Sequence, residues 1–528
     1  MPGQIVDLMR EETRNQLLRR VDWRFLLSNP YPARAVCFSE GALAQSVSAI
    51  SDQMVLAPEN GTGQCDLAVA LNPDRSTLQQ AWLALQPGGE CYLEWYWPSA
   101  RGTGYLMRRL QAIGFEDIHG YWPWPWPQRT PAFWLPLDAP GLITYFLRER
   151  ARIGSRTRRI LFKLRERAWH FAKRAGMLRP LCVTARKPSA RKPGARPAGI
   201  NDQLPDLHAH DLRPFWPEWG LGASPERLYA LLLTGGQHSI NKVVSLIAPS
   251  PHAAPQLLVK RPRIPQAREG LQHEAFILQQ IPRRYPHLSG IPRLVFSGET
   301  GPAFSLGETI LDGAPLYTCL GRGTFRILAQ QAATWLIGLA GTPDTRRNVA
   351  PVIERLCAEL HELYQAELSE ALWQQTRSLL ASLGELPAVC EQRDFSPWNV
   401  LIDAQGRWNV LDWEAAELDG LPARDLIYFL TYLSFFVEGI MESGEFRVAY
   451  RRLLDPTSFT GAVFVECLAR YAQAVGFEAH ALKALRVLTW MHNAASERLR
   501  LNARHEVRPN SLFITLWEEE LKEQTREC

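Results

Sequence analysis

The sequence predicts two folds in one chain: an α/β doubly wound N-terminal domain over residues 1–188 and a two-lobed α+β C-terminal domain over residues 205–528. Three observations predict this. Apolar segments of strand length alternate with helical periodicity as far as residue 188, the pattern of a doubly wound sheet. A stretch rich in Pro, Gly and Arg (Ser189-Ala190-Arg191-Lys192-Pro193-Gly194-Ala195-Arg196-Pro197-Ala198-Gly199) then marks a linker over 189–204. Beyond it short strands come first and a helical pattern takes over after Thr324, so an N-lobe (205–315) precedes a C-lobe (316–528).

Composition sets the limits. A chain of 528 residues, 46% hydrophobic and 21% charged, is a soluble globular type with room for two or three domains. Its nine cysteines are scattered, odd in number and form no C-x-x-C pair. That argues against a disulfide framework and a zinc ribbon, and for a reducing, cytoplasmic compartment. The start Met1-Pro2-Gly3-Gln4-Ile5-Val6-Asp7 has neither a basic nor an apolar region, so no secretion signal is expected. The longest apolar run, Leu426 to Val437, is flanked by Asp425 and Glu438 and is too short to span a bilayer. The net charge of +5 is unevenly placed: residues 148–197 carry 17 Lys/Arg against 2 Glu, a local +15, and the remainder sums to −10.

In the first part, Ala35 to Phe38, Gln53 to Leu56 and Asp66 to Leu71 read as strands, with a small-residue helix over Gly41 to Ile50. Thr77 to Leu85 reads as a helix, Pro87-Gly88-Gly89 as a turn and Glu90 to Trp95 as a strand. Leu106 to Ile113 is a helix, Phe115 to Tyr121 a strand, and Leu181 to Pro188 a closing strand. From Cys65-Asp66-Leu67-Ala68-Val69-Ala70-Leu71-Asn72, Leu85-Gln86-Pro87-Gly88-Gly89-Glu90, Gly114-Phe115 and Leu181 to Pro188, this part resembles class I S-adenosylmethionine-dependent methyltransferases. The residues depart from that family at the cofactor. The turn after the first strand, Cys37-Phe38-Ser39-Glu40-Gly41-Ala42-Leu43, has one glycine where close backbone approach needs several. The ribose-binding acid is only a displaced Glu59. S-adenosylmethionine is therefore not expected as a ligand, and the domain reads as degenerate; a residual methyltransferase is the competing reading.

Tyr121-Trp122-Pro123-Trp124-Pro125-Trp126-Pro127 predicts an extended or polyproline II backbone, either closing the sheet edge or offering a platform to a sugar ring. Residues 141–178 mix Leu, Ile, Phe and Trp with many Arg and Lys, as one or two basic amphipathic helices broken near Gly154-Ser155. Such a segment either packs on its own domain with a solvated basic face or lies on an anionic membrane. Nucleic acid is not expected, because no recognition motif accompanies the charge.

In the second part, Leu228 to Leu233, Lys242 to Ile247, Gln256 to Lys260, Pro292 to Ser297 and Ala303 to Ile310 read as strands, and Glu269 to Gln280 as a helix. The informative stretch is Gln392-Arg393-Asp394-Phe395-Ser396-Pro397-Trp398-Asn399-Val400-Leu401-Ile402-Asp403, followed by Val410-Leu411-Asp412-Trp413-Glu414. It spaces Asp394, Asn399 and Asp412 around a hairpin (Val400 to Ile402, turn Asp403-Ala404-Gln405-Gly406, Trp408 to Leu411). Phosphoryl transfer needs such a set: one carboxylate to receive the acceptor hydroxyl's proton, and an amide and a second carboxylate to hold Mg²⁺ against nucleotide phosphates. Upstream, Lys260 ends a strand, Glu274 sits on a helix, and Thr234-Gly235-Gly236-Gln237-His238-Ser239-Ile240-Asn241 is a turn whose N–H groups can close over phosphates.

On these residues, together with Gly420, Pro422, Asp425 and Leu426, residues 205–528 resemble the aminoglycoside phosphotransferase/choline kinase superfamily, with its protein-kinase-like fold. The resemblance implies ATP and Mg²⁺ as cofactors, Asp394 as catalytic base, and Asn399 and Asp412 as metal ligands, with Glu414 assisting. It implies Lys260 on the phosphates with Glu274 as its partner, and Gly235, Gly236, Ser239 and Asn241 in the nucleotide loop. It also implies backbone around Glu308 to Ile310 at the adenine, Leu401 as its floor, and Asp425 bracing the loop. One residue departs: the family carries His two positions before the base, and Gln392 stands there.

Three functions are open at this point. The first is an ATP-dependent phosphotransferase acting on a hydroxyl of a small molecule or glycan. The second is a bifunctional kinase-methyltransferase in surface polysaccharide synthesis, and the third a pseudokinase scaffold at a membrane surface.

Overall fold

The computed structural model describes residues 14–56, 63–96, 102–152, 181–189, 212–235, 241–300, 303–364, 367–503 and 511–522. They form two compact units, Met1–Ala275 with Arg293–Ile310, and Phe276–Pro292 with Leu311–Cys528. These units divide the chain differently from the linker read at 189–204, of which 190–204 lie outside the described residues. So do Gly236, Ser239 and residues 153–180 of the basic segment.

The first unit is built on one sheet of twelve strands. Strands β1 (Arg34–Cys37), β2 (Gln53–Leu56), β3 (Cys65–Leu71) and β4 (Leu85–Trp95) run parallel in the order β2-β1-β3-β4. They are connected through helices α1 (Ala42–Ser48) and α2 (Arg75–Ala84). Helix α2 is started by Asp74, whose side chain accepts the Thr77 N–H at 2.8 Å, a cap worth about 1 kcal/mol. Helix α3 (Gly102–Ile113) leads to β5 (Glu116–Trp124), which pairs antiparallel with β6 (Phe133–Pro136). Helix α4 (Pro140–Arg152) follows, and β7 (Leu181–Arg186) inserts antiparallel between β4 and β5.

The sheet does not stop there. Strand β8 (Tyr229–Leu233) pairs with β6, Phe133 opposite Leu233 and Trp134 opposite Leu232. Beyond it β9 (Lys242–Ala248), β10 (Leu257–Pro262), β12 (Ala303–Thr309) and β11 (Leu294–Thr300) continue antiparallel in that order.

Adjacent residues point to opposite faces, so both faces carry a core. Val36, Ala68, Ala70, Cys91 and Leu93 pack with α2, α3 and α4 on one side, and the same apolar cluster takes in Leu231, Leu246 and Ala248. Ala35, Cys37, Leu67, Val69 and Tyr92 pack with α1 and with Trp23 and Phe25 on the other, where Leu232 and Val243 join them. Trp23 stacks on Tyr92 at 3.8 Å between ring centroids.

Two local readings change. Pro87-Gly88-Gly89, expected as a turn, lies inside β4: Gly88 N–H donates to the Lys187 carbonyl and Lys187 N–H to that of Gly89. The strand expected over Phe115 to Tyr121 runs on to Trp124, so ladder pairing with β6 fixes the first half of the Trp/Pro stretch. Trp122 rests against the core, while Trp124 and Trp126 are exposed.

The second unit is mostly helical. It contains the end of helix α5 (Arg268–Arg284), then α6 (Phe325–Ala340), α7 (Ala350–Tyr364), α8 (Glu370–Leu380) and α9 (Arg424–Val437). Helix α9 is buried from Arg424 through Phe435, as a helix apolar on all sides must be. Helices α10 (Ile440–Ser443), α11 (Phe446–Leu454), α12 (Phe459–Val475), α13 (Ala481–Ala503) and α14 (Leu512–Lys522) complete the unit. The short strands β13 (Ala314–Pro315), β14 (Arg346–Asn348), β15 (Glu385–Pro387), β16 (Val389–Glu391), β17 (Val400–Ile402), β18 (Trp408–Val410) and β19 (Glu417–Gly420) carry the loops of interest. The β17–β18 hairpin is seated on Gly290, whose carbonyl accepts the Val410 N–H at 2.7 Å. Gly290 has φ +82°, and a Cβ there would lie 1.8 Å from the Trp408 carbonyl oxygen, so only glycine fits. Among the described residues no helix is long and apolar enough to cross a membrane.

Candidate active site

In the second unit, the stretch between β16 and β17 is over-determined by hydrogen bonds. Asp425, at the start of α9, accepts the N–H of Gln392 at 2.6 Å and of Arg393 at 2.8 Å. This holds Arg393 at φ +67°, a left-handed conformation that a non-glycine residue keeps only under such restraint. Burial, with Glu391 alongside, pushes the Asp425 carboxyl up.

Gln392 is fully buried and uses both ends of its amide. Its Nε2 donates to the Leu411 carbonyl at 3.0 Å and to that of Asp412, while its Oε1 accepts the Asp394 N–H at 2.8 Å. One side chain therefore ties the loop carrying Asp394 to the backbone carrying Asp412. Below it Phe395 is fully buried between Trp335, stacked at 5.3 Å, and Phe429 at 5.0 Å.

Asn399 donates from Nδ2 to Asp394 Oδ2 at 2.7 Å and to its carbonyl at 3.0 Å. Its own carbonyl accepts the Leu411 N–H at 2.9 Å. Asn399 precedes β17 and Asp412 follows β18, so the hairpin brings together residues thirteen apart in sequence. Asp412 is left-handed at φ +63°, and the buried Trp413 anchors the next position by donating to the Val410 carbonyl at 3.0 Å.

Desolvation first, then the charges of Asp412 and Glu414, push the Asp394 carboxyl up to about 7; the Asn399 hydrogen bond and Arg500 of α13 oppose them. Arg500, Tyr428 and Tyr432 were not singled out by sequence. The charge of Asp394 bears on both tyrosines, which pack 4.8 Å apart. They lie on helices whose pattern reads simply as buried, and no motif distinguishes them.

Leu401 lies in β17, half-buried, opposite Pro315 and Asn409. The backbone of Gly313 passes so close to it that a Cβ there would meet Leu401 Cβ at 2.8 Å.

In the first unit, Lys260 of β10 is buried between two carboxylates. Its Nζ is 2.7 Å from Glu274 of α5 and 2.9 Å from Glu308 of β12. Lys242 reaches the other oxygen of Glu274 at 3.5 Å. Burial raises the Glu308 carboxyl, and Lys260 opposes that shift. Sequence placed only the backbone of Glu308 near a ligand. Its side chain meets Lys260 because Lys260 pairs with Leu306, which puts Glu308 on the diagonal. Gly235 follows β8, and Asn241 immediately precedes β9.

A carboxyl poised near neutrality can accept a proton at physiological pH. The amide nitrogen of Asn399 is turned to Asp394, which leaves the amide oxygen as the end available to a cation. That oxygen and the Asp412 carboxylate are hard ligands of the kind Mg²⁺ takes.

Residues 240–459 match the model of a family described as the phosphotransferase enzyme family (APH). Kinases that phosphorylate hydroxyl groups of small molecules make up this class, and the matched residues include Lys260, Glu274, Asp394, Asn399 and Asp412. Among solved structures the chain is similar to a macrolide 2'-phosphotransferase from Brachybacterium faecium: 17% identity, 57% of this chain, 98% of the other, TM-score 0.35. It is also similar to an aminoglycoside phosphotransferase from Alicyclobacillus acidocaldarius (14% identity, 55% and 91% covered, TM-score 0.31). A glucosamine kinase in complex with glucosamine, ADP and phosphate shows 15% identity, 58% and 95% coverage and a TM-score of 0.31. No match was found among curated proteins.

Proposed function

We propose that this chain transfers the γ-phosphoryl group of ATP to a hydroxyl of a small molecule or glycan, with Asp394 as the base. The observation that carries this reading is the hydrogen-bonded set Gln392, Asp394, Asn399 and Asp412. Asp394 receives the acceptor's proton, and Asn399 aims its carboxylate. Lys260, held by Glu274 and Glu308, contacts phosphate oxygens; the family resemblance assigns Gly235, Gly236, Ser239 and Asn241 to the same phosphates. Leu401 forms part of the adenine floor. Mg²⁺, held by Asn399 and Asp412, supplies charge neutralisation at the phosphates when bound.

Gln392 favours an active kinase over a pseudokinase, since it makes the contacts that orient the loop. Purified protein with ATP and Mg²⁺ is expected to phosphorylate at least one member of a panel of sugars, amino alcohols and aminoglycosides, and Asp412→Ala to abolish turnover. Equal turnover by wild type and Asp412→Ala would sink the assignment.

The acid limb of the pH profile is a second prediction. In kcat/KM it should fall at about 7, the value to which Asp394 is raised. Glu414→Gln removes a negative charge that disfavours the carboxylate, so the limb should move to lower pH. Arg500→Met removes a positive charge that favours it, so the limb should move to higher pH. Profiles from pH 5 to 9 check both; shifts of the opposite sign would remove Asp394 as the titrating group.

We read the first part of the chain as a methyltransferase-like fold without cofactor. The order β2-β1-β3-β4-β7-β5 with β7 antiparallel supports the likeness. At the carboxyl ends of the parallel strands the protein's own groups meet one another: Ser39 Oγ accepts the Leu71 N–H, Asn72 accepts the Tyr96 N–H, and Arg20 grips Glu94 with two bonds of 2.7 Å. These contacts favour a structural role over a bifunctional enzyme.

A further inference from the structure

The segment around Asp22, before the first strand, belongs to neither sequence motif, yet it reaches the two elements that the proposed function places on the phosphates. Asp22 and Arg263 are both fully buried. The Asp22 carboxylate lies 3.1 Å from Arg263 Nε and 3.0 Å from its Nη2. Arg263 stands three residues beyond Lys260, and its Nη2 also donates to the Thr234 carbonyl at 3.2 Å. Thr234 is the root of the glycine turn. Its N–H donates to the Ala132 carbonyl at 2.8 Å and its hydroxyl to the Pro131 carbonyl at 2.5 Å.

The neighbours of this pair converge on the end of β10 and the residue after it. Arg24 Nη2 donates to the Arg263 carbonyl at 2.8 Å, and so does the Tyr31 hydroxyl at 3.2 Å. Arg261 Nη1 donates to the Phe25 carbonyl at 3.1 Å. The end of the lysine strand and the start of the glycine turn are thus fixed to one guanidinium, and that guanidinium is fixed to Asp22.

We infer that Asp22 and Arg263 are positioning residues for nucleotide phosphates: the pair sets where Lys260 and Gly235, the residue after Thr234 at the end of β8, stand relative to each other. The inference rests on the ATP-dependent reading above. Neither residue touches the nucleotide; each acts through the elements it joins. The consequence is selective, because that reading puts Lys260 and the Gly235 N–H on phosphates and not on the base.

The test compares full-length wild type with two variants, by calorimetric titration with ATP and with adenosine in the presence of Mg²⁺ and by thermal melting. Asp22→Asn leaves a buried guanidinium without its carboxylate and can fail to fold. Asp22→Asn combined with Arg263→Met removes both charges of the closest pair, and replacing both partners is tolerated better than loss of one; Arg24, 3.8 Å from Asp22, keeps its hydrogen bonds to the Leu18, Val21 and Arg263 carbonyls. The folded double variant should bind ATP about 10-fold more weakly, from displaced phosphate contacts, with adenosine affinity unchanged. A folded double variant that binds ATP as wild type does overturns the inference while leaving the kinase reading intact. Equal losses for ATP and adenosine also overturn it, since they mark a general structural role. Wild-type protein that binds no ATP overturns the kinase reading, and this inference with it.

Discussion

Asp394→Asn is expected to lower kcat about 10³-fold while leaving ATP affinity within about 2-fold of wild type. The carboxylate is the only group of the set whose chemistry, rather than its charge alone, is needed for proton acceptance. Asn at this position keeps an oxygen to accept the Asn399 N–H, so the loop geometry survives the change. The same substitution should raise stability above neutral pH. The folded-state value of Asp394 is raised from the ordinary 3.8 to about 7. Between those values the folded state holds a proton that the unfolded state has lost, so wild-type stability falls as pH rises from about 4 to about 7 and is level above it. At about 1.4 kcal/mol per pH unit the loss is at most about 4 kcal/mol. The Asn variant does not carry it, so its melting temperature should exceed wild type at pH 8 and match it at pH 4. Full activity in the variant would exclude Asp394 as the base; an unchanged melting difference between the two pH values would show that its carboxyl is not perturbed.

Gln392→Leu is the second large effect, with kcat expected to fall about 10²-fold. Leucine fills similar space and makes none of the three hydrogen bonds. The Leu411 and Asp412 carbonyls and the Asp394 N–H would be left without this partner, at about 1–3 kcal/mol each where they remain buried. The two halves of the metal-and-base set would then lose their common tie. Gln392→His should retain most activity, because neutral imidazole still offers one donor and one acceptor. Gln392→Glu should behave like the leucine variant, since an ionised carboxylate has no N–H for the two carbonyls. Steady-state kinetics on the three variants decide this. A leucine variant with wild-type kcat would mean that the loop holds its shape without the amide.

The residues that define the chemistry were legible because local spacing carries them. Asp394, Asn399 and Asp412 lie around a single hairpin, and Lys260 and Glu274 are separated by one strand end and the helix after it. The role of Gln392 was open in sequence, because its three partners are set by the close approach of two loops. Glu308 was legible only as backbone, since its meeting with Lys260 depends on the register of β10 on β12. Asp22 and Arg263 were not legible: 241 residues separate them, and Asp22 lies in a single helical turn with no motif. Pro87-Gly88-Gly89 misled for a physical reason. The left-handed Gly88 that makes such a triplet turn-like here serves a strand irregularity that still pairs with Lys187.

The pairing of β6 with β8 has a consequence for cutting the chain. A fragment beginning at the linker would carry β8 as an open edge strand, offering unpaired N–H and C=O groups to any strand it meets. Leu231, Leu232, Val243 and Leu246 would also lose part of the layers that cover them. At roughly 1.5–3 kcal/mol for each fully buried aliphatic side chain, full exposure of the four would cost about 6–12 kcal/mol, comparable with the whole stability of a typical domain, about 5–15 kcal/mol. The kinase-like portion is therefore not a detachable module with a passenger in front of it. The strands ahead of it serve as its lateral closure, and truncation trades a folded lobe for an aggregation-prone edge.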